Sequence, residues 1–283
     1  MRVLSLFDGI SCGRLALNRA GIEPSLYLAS EINMSCVRVT QSHFPDTIQL
    51  GDVTEVRKMI EIGALTPGQI DLLIGGPPCQ GLSSAGKRLN FFDERSFLFF
   101  EFLAIKNALK PRFFLMENVI MKKDCERQIS ELLGVEPVAI DSADFCAQNR
   151  KRLYWTNIPS TPRPSPSLAD EFWAIREWGE SDRLDTYRVP RTPWREKMWH
   201  QKCKNVSYAL KTPCLTTKQD GFPNAGLIEY RDFCRFLTIE ECEKLQTVPP
   251  GYCKGMTRSQ AYHALGNGWT VDVIAYLFKG LVS

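Results

Sequence analysis

The sequence predicts an α/β protein built on a doubly wound, mostly parallel sheet, with a smaller second domain. Three observations carry that expectation. Short apolar runs of strand length alternate with helical stretches from the first residues onward. Three successive runs, residues 3–7, 26–30 and 48–50, end beside an acid: Asp8, Glu31 and Asp52. A fourth run, residues 70–74, shows almost no alternation, as a strand covered on both faces should.

The fourth run leads into Gly75-Gly76, where the backbone can turn sharply, and into Pro77-Pro78, which stiffen the chain beyond the turn. Cys79 therefore falls just past the C-terminal end of a buried strand, where open α/β sheets place their ligands. A thiol there is either a nucleophile or a small buried apolar residue. The Pro-Pro-Cys-Gln context favours the nucleophile.

Composition bounds the rest. A chain of 283 residues with 44% hydrophobic and 24% charged residues can bury a full core and reads as a soluble globular protein. No apolar run approaches the roughly 20 residues needed to cross a bilayer. The first eight residues hold one base and one acid and read as a strand, not a signal peptide. The ten cysteines are singletons without C-x-x-C spacing, so the expectation is a reduced, cytoplasmic protein with no structural metal. A net charge of +3 names no partner by itself.

Further along, residues 8–13 form a turn into a helix, and residues 83–93 a polar loop. Residues 97–109 read as a helix, apolar nearly all round and hence buried, with Phe97, Phe99, Phe100 and Phe102 in the core. Pro111 stops it, and residues 113–116 form a strand ending in Glu117-Asn118-Val119. Strands at 137–141 and 153–156 flank the run Gln148-Asn149-Arg150-Lys151-Arg152. Pro159, Pro162, Pro164 and Pro166 mark an extended linker. Between Tyr187 and Lys218 stand eight basic residues against one acid, Glu196, interleaved with Trp194, Trp199 and Tyr208. Such a mixture suits a phosphate backbone, the alternative being a solvated basic surface. Thr238 with Glu241 forms a capping box, and a final helix starts at Val271 with Gly280 as its stop.

Read together, these motifs resemble the DNA cytosine-5 methyltransferases, in the family's usual order and over nearly the whole chain. Leu4-Ser5-Leu6-Phe7-Asp8-Gly9 with Gly13 resembles the family's S-adenosylmethionine motif, and Pro77-Pro78-Cys79-Gln80-Gly81 its nucleophile motif. Glu117-Asn118-Val119 and Gln148-x-Arg150-x-Arg152 match two more. Phe236-Leu237-Thr238 through Leu245-Gln246 resembles the ninth motif, and Gly266-Asn267 the tenth. Leu82 and Gly268-Trp269 depart from many bacterial members, and the opening and the Trp269 ending are similar to the animal de novo branch. No Cys-Phe-Thr tripeptide of the kind carried by the tRNA-methylating branch is present. A free-standing prokaryotic or phage enzyme is the expectation.

The resemblance implies an S-adenosylmethionine-dependent, Rossmann-like fold, with catalytic residues 1–158 plus 256–283 and target recognition in residues 159–255. It implies Cys79 as nucleophile toward cytosine C6, Glu117 at N3 and the exocyclic amine, Arg152 at O2, and Arg150 supporting the loop and thiolate. For the cofactor it implies Phe7 against adenine, Glu31 on the ribose hydroxyls, Asp52 on the adenine amine and Gly9 to Gly13 near the methionine carboxylate. Asp8, Ile10, Ile32, Val53, Pro77, Asn267 and Trp269 complete that pocket. S-Adenosylhomocysteine is the implied product. Double-stranded DNA is the implied partner, met by Gln80, Ser83, Lys87 and Arg88 in the loop after Cys79. The basic segment adds Arg188, Arg191, Arg195 and Lys197, and then Lys202, Lys204 and Lys218. A monomer, with a possible cognate restriction endonuclease, is expected.

Overall fold

The computed structural model describes residues 1–78, 97–162, 171–179, 181–189, 192–193, 197, 204–221 and 224–282. These form two compact units. The first holds Met1–Ile140, Lys151–Arg163 and Ile274–Ser283; the second holds Asp141–Arg150 and Pro164–Val273. The expected division placed residues 141–150 and 256–273 with the catalytic part, whereas they pack with the second unit. The reason is polar: Gln148 and Arg150 are tied by hydrogen bonds to residues 214–215, 245–246 and 266–268.

In the first unit, β1 (Arg2–Leu6), β2 (Leu26–Ser30), β3 (Ile48–Gln49), β4 (Leu72–Gly75), β5 (Phe113–Val119), β6 (Pro137–Asp141) and β7 (Lys151–Thr156) make one sheet. Its order is β3-β2-β1-β4-β5-β7-β6. Strands β1 to β5 are parallel, and β7 runs antiparallel to β5. The chain thus winds from β1 outward to β3, then returns to β4 on the other side, which makes the gap beside β1 a switch point. Helices α1 (Cys12–Arg19), α2 (Met34–His43), α3 (Val53–Glu61), α4 (Phe97–Leu109) and α5 (Lys123–Leu133) intervene between strands. Leu4, Leu73, Phe102, Ile105 and Trp155 belong to the apolar core. Burial of each such side chain stabilises by roughly 1.5–3 kcal/mol.

Two strands are longer than the apolar pattern suggested. The ladder continues through Glu117, Asn118 and Val119 and starts again at Lys151 on the partner strand, with Val119 opposite Arg152. Polar side chains interrupt the hydrophobic run, but backbone pairing does not depend on them. Helix α4 is only partly enclosed: Phe99 and Phe102 are buried, whereas Phe97 and Phe100 are 48% and 38% exposed. The last helix, Val271–Phe278, stops before Gly280, which lies in the following 3-10 turn Lys279–Leu281. Gly280 is required by proximity, not as a cap, since a Cβ there would sit 2.0 Å from the Pro159 carbonyl oxygen. Among the described residues no helix is long and apolar enough to cross a membrane.

The described residues of the second unit hold only short regular elements. Strands β8 (Leu227–Glu229) and β9 (Cys234–Phe236) form a hairpin, and α6 (Phe172–Ile175) and α7 (Asp182–Asp185) are single turns. Helix α8 (Ile239–Leu245) carries the expected capping box of Thr238 and Glu241, and α9 (Arg258–Asn267) carries another from Thr257 and Gln260. Arg235 and Glu241, both fully buried, meet as a two-pronged pair at 2.9 and 2.8 Å. The same carboxylate also accepts from the Thr238 and Glu177 backbone N–H groups.

Candidate active site

The C-terminal ends of β1, β2 and β4 lie level, since Leu6 is paired with both Ser30 and Gly75. The residue after each of them is therefore delivered to one edge of the sheet. Gly75 brings the chain in close: a Cβ there would lie 3.1 Å from both the Leu6 carbonyl oxygen and the Phe102 ring, a tight contact that its neighbours would have to yield to. After β1 the chain turns tightly, with Phe7, Gly9 and Ser11 all in the left-handed region. Helix α1 then begins at Cys12-Gly13 without a capping hydrogen bond from the Ser11 side chain.

Glu31 ties this turn to the end of β2. One carboxylate oxygen accepts from the Gly9 N–H at 2.7 Å, and the other from the Ile32 and Asn33 N–H groups at 2.9 and 2.7 Å. Ile32 beside it is 70% exposed, an apolar side chain held out at a polar edge. Asp52 caps α3, its Oδ1 accepting from the Thr54 N–H at 2.8 Å and the Thr54 hydroxyl at 2.6 Å. Those bonds hold its carboxyl below the ordinary carboxylate range.

Three of the residues expected to line the cofactor pocket have buried side chains. Asp8 is 9% exposed and points inward, its carboxylate accepting from the Ser11 hydroxyl and, at 2.8 Å, from the Tyr27 hydroxyl. Burial pushes its pKa up to about 6 despite those bonds. Asp8 thus braces the turn from beneath. The Ile10 and Val53 side chains are buried in the core, so only their backbones reach the edge. Phe7 is partly buried and packs against the same core.

The other half of the site is built on β5 and β7. Glu117 stands opposite Tyr154, so Arg152 is its diagonal neighbour on the same face of the ladder. Their side chains meet, Arg152 Nε to Glu117 Oε1, at 3.1 Å with 15% and 12% exposure. Arg152 Nη1 also donates to the Lys151 carbonyl at 2.9 Å. Between them, Asn118 is buried and donates from Nδ2 to the Pro77 carbonyl at 3.2 Å while accepting from the Val119 N–H at 2.8 Å. It pins the segment that leads to Cys79. Sequence reasoning did not count Asn118 as a site residue, although a buried amide inside an apolar strand is the signal that marks it.

Cys79, Gln80, Ser83, Lys87, Arg88, Arg191, Arg195 and Lys202 lie outside the described residues. Lys197, Lys204 and Lys218 are exposed. Arg188 is paired with Asp185 at 2.9 Å and lies over the Phe233 ring. In the second unit Asn267 is exposed, its amide 3.5 Å from His263, and Trp269 is half-buried. Arg150, expected to support the loop and thiolate of Cys79, has its described partners in the second unit. It is 4% exposed, and its guanidinium donates to the Cys214 sulfur and to the carbonyls of Leu215, Gly266 and Gly268.

The sequence profile of the C-5 cytosine-specific DNA methylases matches residues 1–223. The chain belongs to that family. Among curated relatives, the Type II methyltransferase M.NlaIV of Neisseria lactamica is 34% identical over 197 residues, covering 59% of this chain and 45% of that protein. The match therefore spans about half of that longer relative. The Type II methyltransferase M.HpaII of Haemophilus parainfluenzae is 26% identical over 317 aligned positions, 96% of this chain and 86% of the relative. In fold, the chain resembles the crystal structure of S. pombe Dnmt2 methyltransferase. The TM-score is 0.77 at 20% identity, with 100% of this chain and 98% of that one covered.

Proposed function

We propose that this methylase transfers a methyl group from S-adenosylmethionine to C5 of a flipped-out cytosine in a specific duplex DNA sequence, through a transient bond between Cys79 and C6. The observation that carries the reading is the shared sheet edge. The Glu117–Arg152 pair and the Asn118-pinned approach to Cys79 stand on β5 and β7, while Glu31 and the Phe7–Gly13 turn stand at the ends of β1 and β2.

S-Adenosylmethionine suits the donors and acceptors at the first three strand ends. Glu31 is fixed by three backbone N–H groups and offers its carboxylate to ribose hydroxyls. The exposed Ile32 side chain offers a flat purine an apolar cover. Asp52 spends its hydrogen bonds on one oxygen, leaving Oδ2 for an adenine amine. The uncapped start of α1 suits the methionine carboxylate. Bound there, the sulfonium supplies an electrophilic methyl group.

Cytosine C5 is too weak a nucleophile to take that methyl unaided. Addition of the Cys79 thiolate to C6 breaks the ring's aromaticity and leaves C5 enamine-like, and sulfur later departs as readily as it arrived. The displaced electron pair collects at N3, where Glu117 donates a proton. Arg152 holds the Glu117 carboxylate and, with its planar fork, suits the base O2. Once C5 is methylated, a base takes its proton, the electrons of that C–H bond expel the Cys79 thiolate from C6, and the N3 proton returns to Glu117, which releases 5-methylcytosine. A base inside a duplex must be flipped out for this, at a cost of roughly a few kcal/mol. We assign the recognition of sequence to the second unit, with Lys204 and Lys218 on phosphate.

The relatives' Type II names support a cognate endonuclease, and the same reading places a monomer in a prokaryotic or phage-infected cytoplasm. Bisulfite or nanopore sequencing of DNA from cells expressing the chain tests the function directly. Methylated cytosine at one recurring sequence is expected. Unmodified DNA beside labelled tRNA in parallel assays would transfer the reading to RNA.

A further inference from the structure

The turn after β1 is held in a conformation that its own residues resist. Phe7 and Ser11 carry side chains, yet both have φ of 57°, and Gly9 between them stands at 58°. Residues other than glycine keep to that region only where their surroundings impose it. What imposes it is a buried cluster of hydroxyls on Asp8. Tyr27, 2% exposed on β2, donates to Asp8 Oδ1 at 2.8 Å. The Ser11 hydroxyl donates to Oδ2 and lies 3.1 Å from the hydroxyl of Thr40 on α2. Burial and the neighbouring Asp8 charge push the Tyr27 phenol well above its ordinary range, so it remains a donor. Behind it stands Arg14, its guanidinium 5.3 Å from the Tyr27 ring centroid and fixed to Thr47 at 2.8 Å and to Asp46 at 2.6 Å. All of these residues belong to the first unit.

Glu31 reaches the same turn through the Gly9 N–H at 2.7 Å. The proposed function gives Glu31 and the Phe7–Gly13 turn to S-adenosylmethionine. We infer that Tyr27 is a positioning residue for that cofactor: through Asp8 it holds the turn in its binding form, from a place too buried to touch the ligand. This inference rests on the proposed function. The argument is one of populations. A hydrogen bond to a carboxylate is charge-assisted, and its loss lets a strained turn relax in the empty protein. Affinity then falls by the fraction of molecules in which the turn is still held. Once the cofactor is bound the turn is the same as before, so the chemical step is unaffected. A tyrosine that only filled the core would show its hydroxyl in unfolding and nowhere else.

The test is isothermal titration of S-adenosylhomocysteine into the full chain, beside steady-state methylation of DNA carrying the site found by sequencing. Tyr27→Phe keeps the ring and removes only the hydroxyl. Its dissociation constant should rise about tenfold, while kcat at saturating S-adenosylmethionine and the Michaelis constant for DNA stay within about twofold of wild type. Thr40→Val, the milder change, should raise the dissociation constant about threefold, and it carries the test if Tyr27→Phe does not fold. In an Asp8→Ala background, Tyr27→Phe should weaken binding no further. Lowered thermal stability with unchanged affinity in both single variants would make the cluster merely structural and overturn the inference. A tenfold loss that persists in the Asp8→Ala background would overturn the path through Asp8, and so would a loss confined to kcat at saturating cofactor. Wild type that binds neither S-adenosylhomocysteine nor S-adenosylmethionine would instead defeat the proposed function itself, a result distinct from any of these.

Discussion

The two units of this chain rest on different balances of the same forces. The first relies on strand pairing and an apolar core, in which Leu4, Leu73, Phe102, Ile105 and Trp155 are fully buried. The second also buries apolar side chains, Phe172, Ile228, Leu245 and Leu265 among them, but its described residues form one short hairpin and its loops are tied by buried polar side chains: Arg150, Gln148, Gln219, Arg235, Glu241, Glu243 and Gln246 are each at most 4% exposed. A sheet fixes its strand ends through the backbone, so side chains there remain available for chemistry. A loop-rich body has no such ladder, and side chains must supply the missing hydrogen bonds. Every one left unpaired is then costly.

That contrast can be broken by mutation. Glu241→Ala strands Arg235 in the interior and is expected to cost about 3–5 kcal/mol in urea unfolding. Arg235→Met with Glu241→Leu should recover most of the loss. Failure of the double variant to recover would mean that the pair is needed for more than charge compensation. At the sheet edge, Glu117→Gln is expected to lower kcat by about 10²–10⁴-fold with little change in unfolding. Equal losses of stability and activity would erase the distinction between the two regions.

Asp8 is the exception within the first unit, a buried carboxyl under the β1 turn. Its pKa is raised in the folded chain, from an ordinary 3.8 to about 6, chiefly by burial. The folded state therefore binds more protons than the unfolded state across that window, and this group's contribution to stability falls as pH rises from about 4 to about 6. The stability of wild type relative to Asp8→Asn should drop across that interval by roughly 3 kcal/mol. A pH-independent difference would show that Asp8 is not protonated in the fold. The smallest effect is expected at Thr238→Ala, which removes a capping box and should cost about 1 kcal/mol by thermal unfolding.

The same contrast explains what could be read from sequence. The strands at 26–30 and 137–141 and the helix at 97–109 have the bounds their apolar patterns gave, although burial enforces the pattern fully only at 26–30. The Thr238 box was legible because capping is local. Beyond residue 116 and before residue 153 the pattern stopped while the strands continued, since Glu117, Asn118 and Arg152 are polar for reasons of the site. Asp8 read as a strand-end acid of the cofactor pocket, and only the folded chain sets Tyr27 and Ser11 against it. The carbonyls around Arg150 come from residues 65 to 118 positions away and carry no side-chain signature at all.

The most direct measurement uses a duplex oligonucleotide with 5-fluorocytosine at the site found by sequencing, incubated with the protein and S-adenosylmethionine. Fluorine cannot leave as a cation, so a thioether between Cys79 and C6 should persist as a protein–DNA adduct, dependent on the cofactor and absent in Cys79→Ser. Methylation of the ordinary duplex with no adduct on the fluorinated one would contradict the covalent mechanism.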